Sequence, residues 1–258
     1  MPGTVRKITD RWDSPFLMRL KHFVDLTPGD VEILRVLVDA EAAIDKRRDL
    51  VVDGYPYNKL CFVKDGMAAR YKVLRNGKRQ IVDVLMPGDI VGLPGSFLDR
   101  APFSVIALTD MKLEICAHDA FIAACYRRPK LALALSWLAV QHATVYAERI
   151  VDLGRRTPIE RLGHFLLELH ARLMMVGRAE PTGFELPISQ EVMSDTLGLS
   201  VPHLNRTMAR LKNDGLLVVT GRHVRFADIK ALEVLAHFQS ATLARIPAPV
   251  EREQELIA

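Results

Sequence analysis

The segment from Leu197 to Gly215, LGLSVPHLNRTMARLKNDG, carries side chains that can read nucleic-acid bases. Asparagine can form two hydrogen bonds with adenine and arginine two with guanine, and each such pair discriminates between bases by roughly 1–3 kcal/mol. Asn205, Arg206 and Arg210 supply these groups within one stretch of helical character. The chemistry that these residue types favour is direct readout in the major groove of DNA.

A helix is needed to hold these side chains, and the sequence predicts where it starts. Ser200 is expected to cap it by accepting a backbone N–H, and Pro202 fits the first turn because its missing N–H would have no partner within the helix. Leu204, Met208 and Leu211 recur at spacings of four and three residues. They predict a stripe that packs against the rest of the domain.

A shorter helix is expected before it, because Ser189 can cap QEVMSDTL and Gly198 can end that segment. Two helices joined by a tight turn match a helix-turn-helix, whose second helix enters the major groove. GLLVVTGRHVRFAD then predicts a hairpin with Thr220-Gly221-Arg222-His223 at its tip, where basic side chains would meet phosphates. The residues predicted to contact DNA are Ser189, Gln190, Ser200, Val201, Pro202, His203, Asn205, Arg206, Arg210, Arg222 and His223.

Upstream, residues from about Ala42 to Ile115 form short strand-like runs separated by turn pairs. Asn76-Gly77 lies between ARYKVLR and KRQIVDVL and predicts a tight hairpin, because both turn residues accept a positive φ. Strands this short and regular predict an antiparallel sandwich or jelly roll. A helix that starts at Thr27-Pro28-Gly29-Asp30, and reaches Val38 by its apolar spacing, is expected before them.

A long helix is predicted from Pro129 to about Leu153. Its stretch LALALSWLAVQHATVYA carries no charge, but it is only 17 residues long, whereas a membrane-spanning helix needs roughly 20 apolar residues. Because two of its faces are apolar, we expect it to pack on its own barrel and on a second subunit. The first face carries Leu131, Leu135 and Leu138, and the second carries Leu133, Trp137, Val140 and Ala147.

Two further helices are predicted near the end of the chain. Thr157-Pro158-Ile159-Glu160 is a capping box for a helix that should end near Gly177, and a polar loop follows as far as Pro187. ADIKALEVLAHF predicts one more amphipathic helix, and PAPVEREQELIA a mobile end.

The composition fits a globular protein of one or two domains, with 258 residues, 49% apolar and 26% charged. A net charge of +4 permits a polyanionic partner. Cys61, Cys116 and Cys125 lack C-x-x-C spacing, so we expect reduced thiols in a cytoplasmic protein. The N-terminus shows no apolar segment typical of a signal peptide.

Two other classes of function stay open at this point. A jelly roll could belong to a metal-dependent enzyme, but the barrel region has no H-x-H pair, so we expect neither a metal site nor catalysis. A helix-turn-helix could instead bind a protein. Steep salt dependence of duplex binding would argue against that alternative, because phosphate contacts release counterions.

In this order, the segments resemble the Crp/Fnr family of bacterial transcription regulators. KDGMAARYKVLRNGKRQIVDVLMPGDIVGL resembles the family's sensor barrel, and PISQEVMSDTLGLSVPHLNRTMARLKNDGLL its winged helix-turn-helix. The resemblance implies an α+β fold with an N-terminal antiparallel jelly-roll barrel, a long dimerisation helix and a C-terminal winged helix-turn-helix. It implies a homodimer on an inverted-repeat site in double-stranded DNA and contact with RNA polymerase. The implied domains are a cyclic-nucleotide-binding-like barrel over 1–128, the dimerisation helix over 129–154, the DNA-binding domain over 155–229, and a helix and tail over 230–258.

Several family positions differ in this chain. Leu93 stands where members that bind cyclic AMP carry a Glu for the ribose, and Ala101 stands where they carry an Arg for the phosphate, with Arg100 one residue away. A cyclic phosphate without a charge-assisted partner loses much of its binding energy, so cyclic AMP is not expected. In the recognition helix Arg206 matches the family's Arg, but Pro202 replaces a Glu that can accept from cytosine.

The cofactors of other family members are not expected either. The N-terminal cysteine set of the iron–sulfur members is missing. Haem would need a histidine ligand, and the available histidines have no diagnostic spacing, so no cofactor is predicted. These histidines are His22, His118, His142, His164 and His170.

Overall fold

A computed structural model of the chain describes residues 13–239. Within this range the elements fall into three successive groups. The first group contains α1 (Pro15–Lys21), α2 (Pro28–Leu37), β1 (Val38–Ile44), β2 (Asp49–Val51), β3 (Lys59–Asp65), β4 (Ala68–Val73), β5 (Arg79–Leu85), β6 (Ile90–Val91), β7 (Ser104–Ala107), β8 (Met111–Ala117) and α3 (His118–Arg127). The second is α4 (Pro129–Gly154). The third contains α5 (Pro158–Met175), β9 (Gly183–Glu185), α6 (Gln190–Leu197), α7 (Val201–Asn213), β10 (Leu217–Thr220), β11 (His223–Phe226) and α8 (Ile229–Leu235).

The first group is the predicted jelly roll. Its strands form two antiparallel four-stranded sheets, in the orders β1-β8-β3-β6 and β2-β7-β4-β5. Buried aliphatic side chains such as Val63, Leu85 and Leu113 pack together inside the barrel. The predicted hairpin at Asn76-Gly77 joins β4 to β5, with a φ of +78° at Gly77. The α+β fold expected from the sequence is therefore confirmed.

The helix before the barrel begins as predicted and ends slightly earlier. Thr27 caps α2, and the Asp30 carboxylate accepts the Thr27 backbone N–H at 2.9 Å. Val38, which was expected on this helix, has an extended backbone and is the first residue of β1. Its pairing with Cys116 in β8 supplies backbone hydrogen bonds of the sheet, which outweigh the apolar spacing.

Helix α4 confirms the predicted long helix, but one of its two apolar faces was assigned incorrectly. Leu131 and Leu138 are buried as expected, and Trp137 is buried with them against α1 and the segment after it. Trp137 lies two residues after Leu135, on the edge between the two faces. Its large ring packs in the core beside Phe23. No helix among residues 13–239 has the length and apolarity needed to cross a membrane.

The third group contains a strand that the sequence did not predict. β9 lies in the predicted polar loop and extends the β10–β11 hairpin to a sheet of order β10-β11-β9. The predicted helices at Thr157 and after Asp228 are present as α5 and α8. The segment PAPVEREQELIA lies outside the described residues.

A buried set of charges joins the three groups, and Asp83 on β5 is at its centre. Its carboxylate accepts from Arg172 of α5 at 3.2 Å, from His142 of α4 at 3.1 Å and from Arg70 of β4 at 3.4 Å. All four side chains are buried. The barrel, the long helix and the first helix of the C-terminal group therefore meet at one carboxylate.

Arg172 and a second arginine extend this set to two further carboxylates. Arg172 also donates to Asp89 at 2.7 Å and to Glu168 at 2.8 Å. Arg19 pairs with Asp89 and donates to Gln141 at 2.7 Å. We call the whole set the Asp83 network, and its members are Arg19, Arg70, Asp83, Asp89, Gln141, His142, Glu168 and Arg172.

Protonation states within the Asp83 network follow from burial and charge. Burial opposes the ionised form of Asp83, but Arg172 and His142 outweigh it and hold the pKa of this carboxyl well below its usual range. Burial lowers the pKa of His142 to about 4, against the raising effect of Asp83. The imidazole is therefore neutral at pH 7, with Nδ1 donating its proton to Asp83.

We expect acid to destabilise the fold through His142. Its folded pKa lies below the value of 6.5 for a free histidine, so the unfolded chain gains a proton first as the pH falls. Stability contributed by the neutral ring is thus complete above about pH 6.5 and is lost as the pH falls towards 4, by roughly 2–3 kcal/mol. His142→Asn keeps a donor for Asp83 and cannot titrate. Denaturant melts from pH 7 to pH 4.5 should show a shallower loss of stability for this variant.

His237→Asn, at an exposed position, is the matched control. The explanation through His142 is wrong if the stability of His142→Asn falls as steeply with decreasing pH as the stability of the His237→Asn control and of the wild type.

Candidate nucleic-acid interface

The first helix of the helix-turn-helix is built as the sequence predicts. Ser189 precedes α6, and its Oγ accepts the N–H of Val192 at 3.3 Å. Gly198 ends the helix with a φ of +65°, a conformation that residues with a Cβ rarely adopt. A Cβ at Gly198 would also lie 2.8 Å from Leu153 near the end of α4. The turn is therefore restricted to glycine by both its backbone and its neighbour.

The second helix starts where predicted, but its expected side-chain cap is absent. Ser200 is extended and precedes α7, and Pro202 lies in the first turn. The Ser200 hydroxyl makes no capping hydrogen bond. Because Ser200 is exposed, water can satisfy the first N–H groups of α7. The position of Ser200 was predicted correctly, and its capping bond was not.

One face of α7 packs against the domain. Leu204 and Leu211 are buried as expected, but Met208 is only half-buried and Thr207 is buried between them. The Thr207 hydroxyl donates to the His203 carbonyl at 2.9 Å, so this polar side chain is satisfied inside the core. The spacing from Leu204 to Thr207 to Leu211 is that of one helix face and could have predicted that Thr207 is buried. The polar hydroxyl of Thr207 instead suggested an exposed position.

The opposite face of α7 is exposed and carries the predicted base-reading groups. By helical spacing, Pro202, Asn205 and Arg206 lie on the side away from Leu204 and Leu211, and all three are exposed. Arg210 is at the border of this face, with Nε 3.8 Å from a carboxylate oxygen of Asp214 in a largely exposed pair. Val201 and His203 are half-buried on its flank. Ala209 and Asn213, which the sequence reading did not single out, share the exposed face.

The β10–β11 hairpin, which we call the wing, has the four predicted residues at its tip. Thr220 pairs with His223, so only Gly221 and Arg222 form the turn. Gly221 has a φ of +60°, as a two-residue turn of this type requires at its first position. Arg222 is exposed at the tip, whereas His223 is a half-buried residue of β11 that also pairs with Glu185 of β9. His223 therefore has a strand neighbour on each side, Thr220 of β10 and Glu185 of β9.

Other polar groups surround the two helices. Ser189 and Gln190 are exposed at the N-terminal end of α6, where backbone N–H groups favour an anion such as phosphate. Arg225 is exposed on β11 of the wing, and the sequence reading did not include it among the contact residues. Alternation along the strand places its side chain on the face opposite to buried Val224 and Phe226.

The barrel holds α6 at its C-terminal end. Arg79 of β5 donates to the Asp195 carboxylate at 2.8 Å. Gln80 donates to the carbonyl oxygens of Asp195 at 2.8 Å and Thr196 at 3.2 Å. Arg161 of α5 donates to the Leu197 carbonyl at 2.5 Å. Gln80 and Arg161 satisfy carbonyls that lack partners within the helix. Arg79 and Gln80 fix the helix-turn-helix against the barrel.

The segment between β6 and β7 leaves little space beside Leu93 and Ala101. Ala101 is buried, and its N–H donates to the Tyr55 carbonyl. Arg100 is exposed and donates to the Gly54 carbonyl at 2.8 Å, so it does not take the place of the arginine expected there. The gap bordered by Leu93 and Ala101 measures about 10 Å³, which is at the lower limit for a single water molecule.

The candidate haem ligands all have nearby polar partners. His22 bonds to the Met175 carbonyl and His170 to the Glu180 carbonyl, while His118 and His164 lie beside carboxylates and His142 bonds to Asp83. Within residues 13–239, no group of three or more His, Cys, Asp or Glu side chains is placed to hold a metal ion.

Two models of known domain families match the chain. The model of the cyclic nucleotide-binding domain matches residues 43–128. The model of the Crp-like helix-turn-helix domain matches residues 160–235. The matches fall on the barrel and on the winged helix-turn-helix, in the order in which the sequence patterns occur.

Characterised relatives are similar over most of their length. Nitrogen fixation regulation protein FixK of Bradyrhizobium diazoefficiens is 30% identical over 174 residues, which are 67% of this chain and 72% of the relative. Transcriptional activatory protein AadR of Rhodopseudomonas palustris is 29% identical over 173 residues, which are 67% of this chain and 71% of the relative.

Solved structures agree with the same architecture. The structure of FixK2 from Bradyrhizobium japonicum is 26% identical, with a TM-score of 0.69, and the match covers 76% of this chain and 96% of that chain. A mutant of CooA from Carboxydothermus hydrogenoformans matches with a TM-score of 0.61 over 76% of this chain and 87% of that chain. At 20% identity, the second likeness is one of fold alone.

We expect Arg206→Ala to relax sequence preference. On a duplex enriched by the wild type, losing one bidentate contact should weaken binding by about 1–3 kcal/mol, while binding to random duplex largely survives. Arg222→Ala at the wing tip is the matched comparison, because a phosphate contact should weaken both duplexes alike and reduce the salt slope by about one. Fluorescence anisotropy titrations of both duplexes measure these effects. Equal losses for Arg206→Ala on the two duplexes would contradict a base-reading role.

Proposed function

Because the chain belongs to the Crp/Fnr family of DNA-binding transcription regulators, we propose that it acts as a homodimer on an inverted-repeat DNA site. The observation that carries the proposal is the exposed face of α7, with Asn205 and Arg206 directed away from the core of the domain. The wing places Arg222 and Arg225 on the same domain, where they would contact the phosphate backbone.

The exposed side of α4 supports a dimer. Its exposed residues follow the spacing of three and four that defines the seam of a two-stranded coiled coil. This seam carries three large apolar side chains and three small ones, and its members are Leu133, Ser136, Val140, Ala143, Ala147 and Ile150. Leu133, Val140 and Ile150 are between 55% and 72% exposed in the single chain. A second copy of α4 would remove this apolar surface from water.

The connection between α4 and the helix-turn-helix supports control of DNA binding by the barrel. Two recognition helices must meet major grooves about 34 Å apart, so a change in how the subunits pack would alter affinity. Leu153 of α4 lies against the turn at Gly198, and Arg79 of the barrel holds Asp195 of α6. A signal at the barrel would shift the populations of two arrangements of these contacts.

Contact with RNA polymerase belongs to the same proposal. The relative AadR is named as a transcriptional activatory protein, and an activator must act on the polymerase that is recruited beside its DNA site. We propose that the DNA-bound dimer of this chain presents such a surface.

The proposal includes no cyclic AMP and no haem. Leu93 and Ala101 offer no charge to a ribose or a phosphate, and Arg100 is engaged with Gly54 outside the barrel. The histidines available for haem have the protein partners described above.

We expect Val140→Glu to separate the subunits. Two buried carboxylates facing each other in the seam would repel and lack partners, so the dimer should dissociate at micromolar concentration. Because one half-site offers half of the contacts, affinity for an inverted repeat should fall by more than tenfold. Sedimentation velocity and anisotropy titrations measure the two effects. Ala123→Glu, at an exposed position on α3, is the control and should leave both unchanged.

The experiment that tests the function is selection of bound sequences from a random duplex pool by the purified protein. We expect enrichment of an inverted repeat whose half-sites are about one helical turn apart. The base opposite Pro202 should differ from the one that a glutamate would read, because proline has no acceptor for cytosine. A pool that shows no enrichment, with shallow salt dependence of duplex binding, would overturn the proposal and favour a protein-binding role for the helix-turn-helix.

A further inference from the structure

The exposed face of α7 has an apolar line along its centre. Successive residues of an α-helix are about 100° apart around its axis. Pro202 therefore lies on the side opposite to Leu211, which is buried, and Ala209 lies within about 20° of Pro202. Both Pro202 and Ala209 are exposed. The part of the helix that points most directly away from the domain thus carries two side chains without a polar atom.

Polar side chains flank this line on both sides. Asn205 lies about 60° from Pro202 in one direction and Arg206 about 40° in the other, and both are exposed. A recognition helix meets base edges with its N-terminal residues, so Pro202 would reach the bases together with these two side chains. Ala209 is two turns after Pro202, and its short side chain lets this face of the helix approach the groove closely.

Helix α7, which is described over its whole length, carries no carboxylate. It spans Val201–Asn213 and contains neither Asp nor Glu. The next residue along the chain, Asp214, lies beyond the helix with a carboxylate oxygen 3.8 Å from Nε of Arg210. Cytosine presents an amino donor in the major groove and is read by an acceptor such as a carboxylate. The central line of α7 therefore has no carboxylate that can select cytosine.

The apolar ring of Pro202 matches one feature of the major groove. Every base presents polar groups there, but only thymine also presents a methyl group. Against the amino group of cytosine or adenine, or against guanine O6 and N7, the proline ring would displace water without replacing its hydrogen bonds. Against the thymine methyl group, both apolar surfaces leave water, which is favourable. Thymine is thus selected both by attraction and by the cost of the alternatives.

Proline makes this contact with little loss of conformational freedom. Its ring has no rotamers to lose on burial, and its φ is fixed near −65°, a value that suits the first turn of a helix. Pro202 lies in that turn of α7, directly after Ser200 and Val201. The backbone alone therefore sets the position of the ring relative to Arg206, one turn later.

We propose that Pro202 is a specificity-determining residue, which selects a thymine in each half-site by contact with its methyl group. The proposal rests on the proposed function, in which α7 reads an inverted repeat. The base pair at which a glutamate would read C·G is then T·A. The neighbouring pairs belong to Asn205 and Arg206, which favour adenine and guanine.

Selection from a random duplex pool with the wild type and with Pro202→Glu locates this base pair. Glutamate is favoured in the first turn of a helix by the helix dipole, so the variant should fold. We expect both proteins to enrich the same inverted repeat except at one position in each half-site, which changes from thymine to cytosine. Ala123→Glu, at an exposed position on α3, adds the same charge outside the interface and should enrich the wild-type site.

Removal of the methyl group tests the contact on the wild-type protein itself. Deoxyuridine in place of the selected thymine lacks the methyl group and keeps every hydrogen-bonding group of the base. One buried methyl group changes affinity by roughly fourfold, so substitution in both half-sites should raise the Kd about tenfold or more in anisotropy titrations. The two duplexes should differ much less in their Kd for Pro202→Glu. Deoxyuridine at a thymine in the spacer between the half-sites is the control and should leave the Kd unchanged.

Three results would overturn the proposal. Enrichment of one and the same site by the wild type and by Pro202→Glu would show that Pro202 faces no base. A G·C pair at the position in the wild-type site would exclude a methyl contact, and so would an equal Kd for thymine and deoxyuridine there. In each of these cases an inverted repeat is still enriched, so the proposed function stands. A pool in which neither protein enriches any sequence would overturn the proposed function as well.

Discussion

A single buried carboxylate, that of Asp83, sets the arrangement of the whole molecule. Three cationic or hydrogen-bonding side chains reach it from the barrel, from α4 and from α5. A buried ion pair adds little net stability compared with an apolar contact, but removing one partner leaves a charge unpaired at a cost of about 3–5 kcal/mol. The elements can therefore move relative to one another only if these partners move together. This constraint favours a small number of discrete arrangements over gradual deformation.

Much of the local structure could be predicted because its causes are local. The cap at Thr27, the turn at Asn76-Gly77 and the left-handed residue Gly198 each depend on a few neighbouring residues. Proline in the first turn of α7 follows from the same short-range argument. These signals predicted the strands, the helices and the position of the candidate DNA-reading helix, and the resemblance to a known family supplied the complete architecture.

The rest could not be predicted because it depends on contacts between distant parts of the chain. Arg172 and Asp83 are 89 residues apart. In the sequence, nothing distinguishes either residue from an ordinary charged residue at the surface. Trp137 is at the border of two apolar faces of α4. Which face it belongs to depends on the side chains of other elements that pack against it in the core. The strand β9 is three residues long and forms because β11 offers it an edge. In each case tertiary contacts outweigh the local pattern.

The ion pair between Arg79 and Asp195 has a consequence for how the DNA affinity of this protein should vary with ionic strength. Both side chains are about one third exposed, so added salt screens their attraction. Salt also acts on the phosphate contacts, where the logarithm of affinity normally falls in a straight line. Here one variable would weaken both the contact with DNA and the docking of α6 on the barrel. A plot of the logarithm of affinity against the logarithm of salt concentration would then curve. Its slope would not give the number of phosphates that the protein contacts.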